Sequence, residues 1–256
     1  MRRLILVLLM AHLTVPVGRA GEPPGDKKHS GHATAADRQY EDLVQEFEEQ
    51  NQPLSRAYDQ AQTQAQRQKA SQDKYILAVK YGQKFLKLAQ AHPTSRAAVD
   101  ALGWTVLHVP HGPIHDRSIA LLLKRHIKSK QLGRLALDLA ETPSASHEKA
   151  LRRIISSNPH HDVKGMAMLA LARVLKAQKR DKAAEKMLEA VVARYSDVET
   201  DQGTLGKVAR RELFKARHLA IGTVAPNIVG EDADGLKFQL TDYRGKVVVL
   251  DFWGEW

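Results

Sequence analysis

The strongest constraint in this sequence is the spacing of its apolar residues from about residue 37 to residue 220. Val163, Met166, Ala167, Ala170, Leu171 and Val174 fall at i, i+3, i+4, i+7, i+8 and i+11. That order puts them on one face of an α-helix and cannot serve a strand, whose side chains alternate with period two. The next segment repeats it at Ala184, Met187, Leu188, Val191, Val192 and Tyr195. Only the short polar stretch 178–181 separates the two, so they are expected to pair as an antiparallel helical hairpin.

Breaks recur between such segments. Thr142-Pro143 and Asn158-Pro159 each set a capping side chain before a proline suited to a first helical turn, and His92-Pro93 makes a similar break. The stretch 84–104 (KFLKLAQAHPTSRAAVDALGW) aligns with 150–170 (ALRRIISSNPHHDVKGMAMLA) at an offset of 66 residues. Two helix–turn–helix repeats of about 34 residues each would give nearly that offset. The region weakly resembles tetratricopeptide repeats, although their Trp, Gly and Tyr signature positions are not cleanly present. The expected fold is therefore mostly α: a paired-helix, tetratricopeptide-like solenoid over 37–221. Such a stack offers a concave surface to a protein partner, or else serves as a spacer packed only on its own neighbours. The stretch 60–72 (QAQTQAQRQKASQ) should form helix readily but bury little.

The two ends differ from this middle. Arg2 and Arg3 precede an apolar run over 4–13, with the small residues Gly18 and Ala20 after it. This is the order of a secretory signal peptide over 1–20, and the run is short for a membrane anchor. The expected product is exported, periplasmic or extracellular, and soluble after cleavage; an uncleaved N-terminal anchor is the alternative. Residues 21–36 are rich in Gly, Pro, His and Lys and read as a flexible linker.

Charge and histidine content exclude several chemistries. The chain carries 39 Lys+Arg against 29 Asp+Glu, a net charge of +10, but the basic residues are interleaved with acids and lack an aromatic platform. A solvated helix surface is the expected reading, and nucleic acid is not an expected partner. His108, His111 and His115 are spaced as metal ligands on a helix would be, yet Pro110 and Pro113 interrupt that helix. No metal ligand and no cofactor are read from them. His160 and His161 are expected in solvent at a helix start. There is no cysteine, which excludes disulfides, thiolate metal sites and a Cys nucleophile within these residues.

At Ile221 the pattern changes to strand and turn. Asp234-Gly235 lies between Ile228-Val229 and the stretch 237–240, a hairpin signal. Arg244-Gly245-Lys246 then leads into 247–252, which is apolar except for Asp251 and reads as a strand buried on both faces. The carriers Gly222, Ala225-Pro226, Gly235, Phe238, Leu240–Tyr243, Gly245-Lys246 and VVVLDFWGEW resemble the start of a thioredoxin-fold domain of the TlpA/ResA or AhpC/TSA peroxiredoxin-like type.

That resemblance implies that 222–256 is the N-terminal fragment of an α/β thioredoxin-like domain, and that the protein is an exported thiol–disulfide oxidoreductase of redox homeostasis. Its substrate would be a protein disulfide or, in the peroxiredoxin variant, a peroxide. The resemblance puts the nucleophile immediately after Trp256. It makes Asp251, Phe252, Trp253, Gly254, Glu255 and Trp256 the active-site flank, with Asp251 as the buried carboxyl that assists proton transfer to the resolving thiol. A strand-end carboxyl with a structural partner is the plainer role for Asp251; core packing is the plainer role for Trp253 and Trp256. The sequence stops where that nucleophile is expected. A UGA codon for selenocysteine read as a stop would account for this, as would a gene fragment or a nonsense stop. As written the chain is expected to be inactive in thiol chemistry. The alternative is a helical-repeat binding module with no catalytic activity.

Overall fold

The computed structural model describes residues 33–231 and 234–251. The signal peptide reading (1–20), most of the linker reading (21–32) and five of the six active-site flank residues (252–256) lie outside the described residues.

The described chain is mostly helical. The helices are α1 (Ala35–Asp59), α2 (Gln64–Ala91), α3 (Arg96–His108), α4 (Pro113–Arg125), α5 (Leu132–Leu139), α6 (Ala145–Ser157), α7 (His161–Ala177), α8 (Asp181–Arg194) and α9 (Leu205–His218). Each helix packs on its chain neighbour or the next but one, and α7 contacts α5, α6, α8 and α9. A two-residue hairpin, β1 (Glu199–Thr200) with β2 (Gly203–Thr204), leads into α9.

Several boundaries depart from the sequence reading, each for a local reason. Helix α1 begins two residues inside the expected linker, because Ala36 is buried and belongs to the packed body. The stretch 60–72 is not one helix. The Thr63 hydroxyl oxygen accepts a hydrogen bond from the Gln66 amide, and the Gln66 Oε1 accepts one from the Thr63 amide, so a capping box restarts the chain as α2. Of residues 64–72 only Ala70 is buried. The prolines at 93 and 143 stand before the caps rather than after them. Ser95 and Ser144 are the capping residues, accepting from the amides of Ala98 and His147. Pro159 likewise precedes His160, the residue before α7. Asn158 is buried between α6 and α7. Its amide donates to the carbonyls of Ile127 and Ser129 at 2.7 and 2.9 Å, and its oxygen accepts from the His160 amide at 2.9 Å.

The core has two parts divided by α7. Val163, Ala167, Ala170, Leu171, Val174 and Leu175 face the larger part, built with α1 to α6 and Ala184 of α8. Met168, Leu169 and Ala172 face a smaller part shared with Leu188, Val191, Leu205 and Val208. The scarce aromatics concentrate in the larger part: Trp104 lies 4.3 Å from Phe85 and 4.8 Å from Phe47, centroid to centroid. Such ring pairs add about 0.5–1.5 kcal/mol beyond their buried area.

Two close approaches fix how the smaller part assembles. A Cβ on Gly165 would lie 2.9 Å from Tyr195 Cβ and Leu205 Cδ1, and one on Gly206 would lie 2.9 Å from the Ser196 carbonyl oxygen. Glycine at these positions lets α7, the end of α8 and the start of α9 meet at backbone distance.

Candidate functional site

The C-terminal segment forms the expected hairpin. Strand β3 (Val229–Glu231) pairs antiparallel with β4 (Lys237–Gln239), Gly230 opposite Phe238. Gly235 turns between them with φ +77°, a left-handed conformation that glycine adopts without a Cβ penalty. A single 3-10 turn, Leu240–Tyr243, follows. The Leu240 amide donates to the Ile228 carbonyl at 2.9 Å and the Thr241 amide to the Asn227 side-chain oxygen at 3.0 Å, so the turn is tied to the base of the hairpin.

Beyond that turn the expectation of a buried strand is corrected. Residues 247–251 adopt no regular structure, and Val247 and Val249 are 98% and 87% exposed. Asp251, the expected buried carboxyl, is exposed as well. The physical reason is pairing: an apolar strand is held by neighbours on both edges and both faces, and no described strand pairs with 247–251. Phe252, Trp253, Gly254, Glu255 and Trp256 lie outside the described residues.

The histidines separate rather than converge. His108 stacks on Trp104 at 4.0 Å and its Nδ1 lies 2.8 Å from the Trp104 carbonyl; burial pushes its pKa below the ordinary histidine value. His111 Nδ1 lies 3.3 Å from the Tyr75 hydroxyl at the surface. Pro113 does not end a helix here; it starts α4, because the first helical positions have no intrahelical use for the missing N–H. His115 is thereby carried into the core, 2% exposed. His160 and His161 point to different partners, the Lys128 carbonyl and the Asp197 carboxylate, and both partners are at the surface. Among the described residues no three His, Cys, Asp or Glu side chains are grouped to hold a metal ion.

The residue sequence reasoning missed is His147. Its Nε2 lies 2.8 Å from His115 Nε2 deep in the core, 32 positions away in the chain. Nothing in a single sequence marks two distant histidines as a pair.

Surface depressions lie between the packed elements. A cleft of about 370 Å³ lies against α5, α7 and the β1–β2 hairpin, with Arg134, Asp138, Met166, Arg173 and Asp201 among its walls. Burial raises the Asp138 carboxyl above its usual range. A groove of about 680 Å³ runs between α4 and α6. Many basic residues are already paired: Glu148 holds Arg152 and Arg180 at 2.8 and 2.9 Å, and Arg217 bridges Glu185 and Glu189. Among the described residues no helix is long and apolar enough to cross a membrane.

Comparison with known proteins gives short local matches. The chain is 53% identical over 38 residues to the thiol–disulfide oxidoreductase ResA of Geobacillus thermodenitrificans (strain NG80-2), 15% of this chain and 22% of that protein. It is 51% identical over 53 residues to ResA of Bacillus subtilis (strain 168), 20% of this chain and 30% of the relative. It is 48% identical over 42 residues to ResA of Bacillus thuringiensis subsp. konkukian (strain 97-27), 16% and 24% respectively. No family model and no solved structure matches. These matches span 22% to 30% of those relatives' own length, and their size is that of the C-terminal segment rather than of the helical array. The chain therefore contains a stretch similar to thioredoxin-like thiol–disulfide oxidoreductases, and that stretch points to a redox-related function.

Proposed function

We propose that the protein is an exported thiol–disulfide oxidoreductase whose thioredoxin-like domain begins at residue 222 and follows a helical-repeat region. One observation carries this reading: about half of the residues are identical to ResA proteins over 38 to 53 positions. The β3–β4 hairpin, the 3-10 turn and the apolar run after Lys246 supply the order in which such a domain starts.

The chemistry needs a thiolate or selenolate beside a helix N-terminus, whose partial positive charge favours the anion. That anion attacks one sulfur of a substrate disulfide. A mixed disulfide forms and the substrate's other sulfur leaves as thiolate, to be protonated. A second thiol then attacks the mixed disulfide, so the substrate is reduced to a dithiol and the enzyme pair is oxidised. The chain has no cysteine, so residues 1–256 cannot perform these steps by themselves.

The test is the transcript across the Trp256 codon. The expected result is an in-frame continuation with Cys, or UGA decoded as selenocysteine, and a second Cys two residues further on. The product of that frame should reduce insulin disulfides with dithiothreitol as electron donor. UAA, UAG, or a continuation lacking both redox residues overturns the reading. Reduction of hydrogen peroxide without reduction of insulin would move the assignment to a peroxidase.

A further inference from the structure

The α4–α6 groove has no part in that redox reading. Its floor is Ile119, Ala120 and Leu123 from α4 with Ala150 from α6. Its rim carries Lys124, Lys149, Arg152 and Arg153, and the one carboxylate among its lining residues is Asp116. Arg152 is held by Glu148. Lys124, Lys149 and Arg153 are exposed and make no ion pair among the described residues.

The geometry points to this groove as the docking site for an acidic amphipathic α-helix of a partner protein. Three observations choose that occupant. Three unpaired cations, Lys124, Lys149 and Arg153, stand against the single carboxylate of Asp116, so the groove is net positive: a negative partner gains and a positive one is repelled. The lining includes the small residues Ala120, Ser146, Ala150 and Ser156, which let a third helix approach two others at an ordinary interhelical distance of about 8–10 Å. The floor side chains Ile119 and Leu123 are one helical turn apart, the spacing that receives anchors at i, i+3 and i+4 of an incoming helix. The groove lies open at the surface rather than closing into a tunnel, so a lipid acyl chain laid in it would stay half wetted.

The probe is a fluorescein-labelled 20-residue peptide with Leu at helical i, i+3, i+4, i+7 spacing and Glu at most other positions, titrated with residues 21–256. Controls are the same composition scrambled, the same pattern with Lys for Glu, and phosphatidylglycerol vesicles. The expected result is saturable binding of the acidic amphipathic peptide alone, weakening as salt rises. Lys149→Glu with Arg153→Glu, both at exposed positions, should reduce affinity about tenfold or more. Ala120→Trp, at an exposed position in the groove, fills it without changing charge and should abolish binding; melting temperatures of the variants report that they fold. The proposal is overturned by no binding, by equal binding of the scrambled peptide, by unchanged affinity in the double variant, or by binding to vesicles alone. None of these outcomes bears on the codons that follow Trp256.

Discussion

His115 and His147 meet Nε2 to Nε2 at 2.8 Å inside the core, with the Nδ1 of the first 2.7 Å from the Val109 carbonyl and that of the second 3.0 Å from the Leu139 carbonyl. The two rings thus link the ends of α3 and α5 to the starts of α4 and α6. At most one proton fits between the two Nε2 atoms. A second would place two buried cations face to face, and burial together with the charge of His147 holds His115 below its ordinary value of 6.5.

This pair makes the fold acid-sensitive. His115 takes up a proton below about pH 6.5 in the unfolded chain and only at lower pH in the folded one. The folded value is the lower, so the stabilisation is present above that pH and is lost as the pH falls through and below it. Burial of His108 and His126 acts in the same direction. Urea unfolding midpoints should be level between pH 8 and 7 and fall steadily to pH 5.5. His147→Leu should lower stability at pH 8 by about 1–3 kcal/mol and flatten the pH dependence. A midpoint unchanged from pH 8 to 5.5 would contradict this account.

Arg173 and Glu212 join α7 to α9 across the smaller core. Arg173 donates from both Nε and Nη2 to Glu212 Oε1 at 3.0 and 2.8 Å, and the side chains are 24% and 20% exposed. Removing one partner leaves the other half-buried and unpaired. Glu212→Ala should cost about 1–3 kcal/mol, and Arg173→Met with Glu212→Leu should recover most of it. Thermal unfolding of the single and double variants checks the pair.

Glycine is required at position 206 by contact rather than by turn geometry. Its added Cβ would meet Ser196 main-chain atoms, which cannot swing aside as a side chain can. Gly206→Ala should destabilise by about 1–3 kcal/mol despite alanine's better helix propensity. Gly103→Ala, where a Cβ meets nothing within 4 Å, should be neutral or stabilising by up to about 1 kcal/mol. Equal melting temperatures for the two variants would refute the contact argument.

The exposed apolar run at 247–250 should make residues 21–256 prone to self-association. Val247 and Val249 are almost fully exposed, and an unpaired β-prone segment templates pairing with another copy. Val249→Lys should suppress concentration-dependent light scattering while leaving the melting temperature of the helices within about 1 °C, because a fully exposed side chain contributes little to stability. Trypsin should cut first at Lys237, Arg244 or Lys246 and leave the helical body intact.

Much of this protein was legible in its sequence. The 3.6-residue spacing of Val163 to Val174 is a local signal, and it placed α7 and α8 because helix amphipathicity is written into neighbouring residues. Asp234-Gly235 fixed the β3–β4 turn for the same reason: the conformation belongs to the dipeptide. What the spacing could not reveal is that α7 is buried on two faces. Met168, Leu169 and Ala172 lie off the stripe, and α8 together with α9, which Gly165 and Gly206 let approach closely, covers them. The His115–His147 pair and the α4–α6 groove are likewise tertiary facts, made by residues about 30 positions apart whose juxtaposition depends on where several helices cross. The run at 247–251 shows the limit from the other side. Its residues specify a strand, but a strand exists only through hydrogen bonds to a neighbour, and no described strand supplies them.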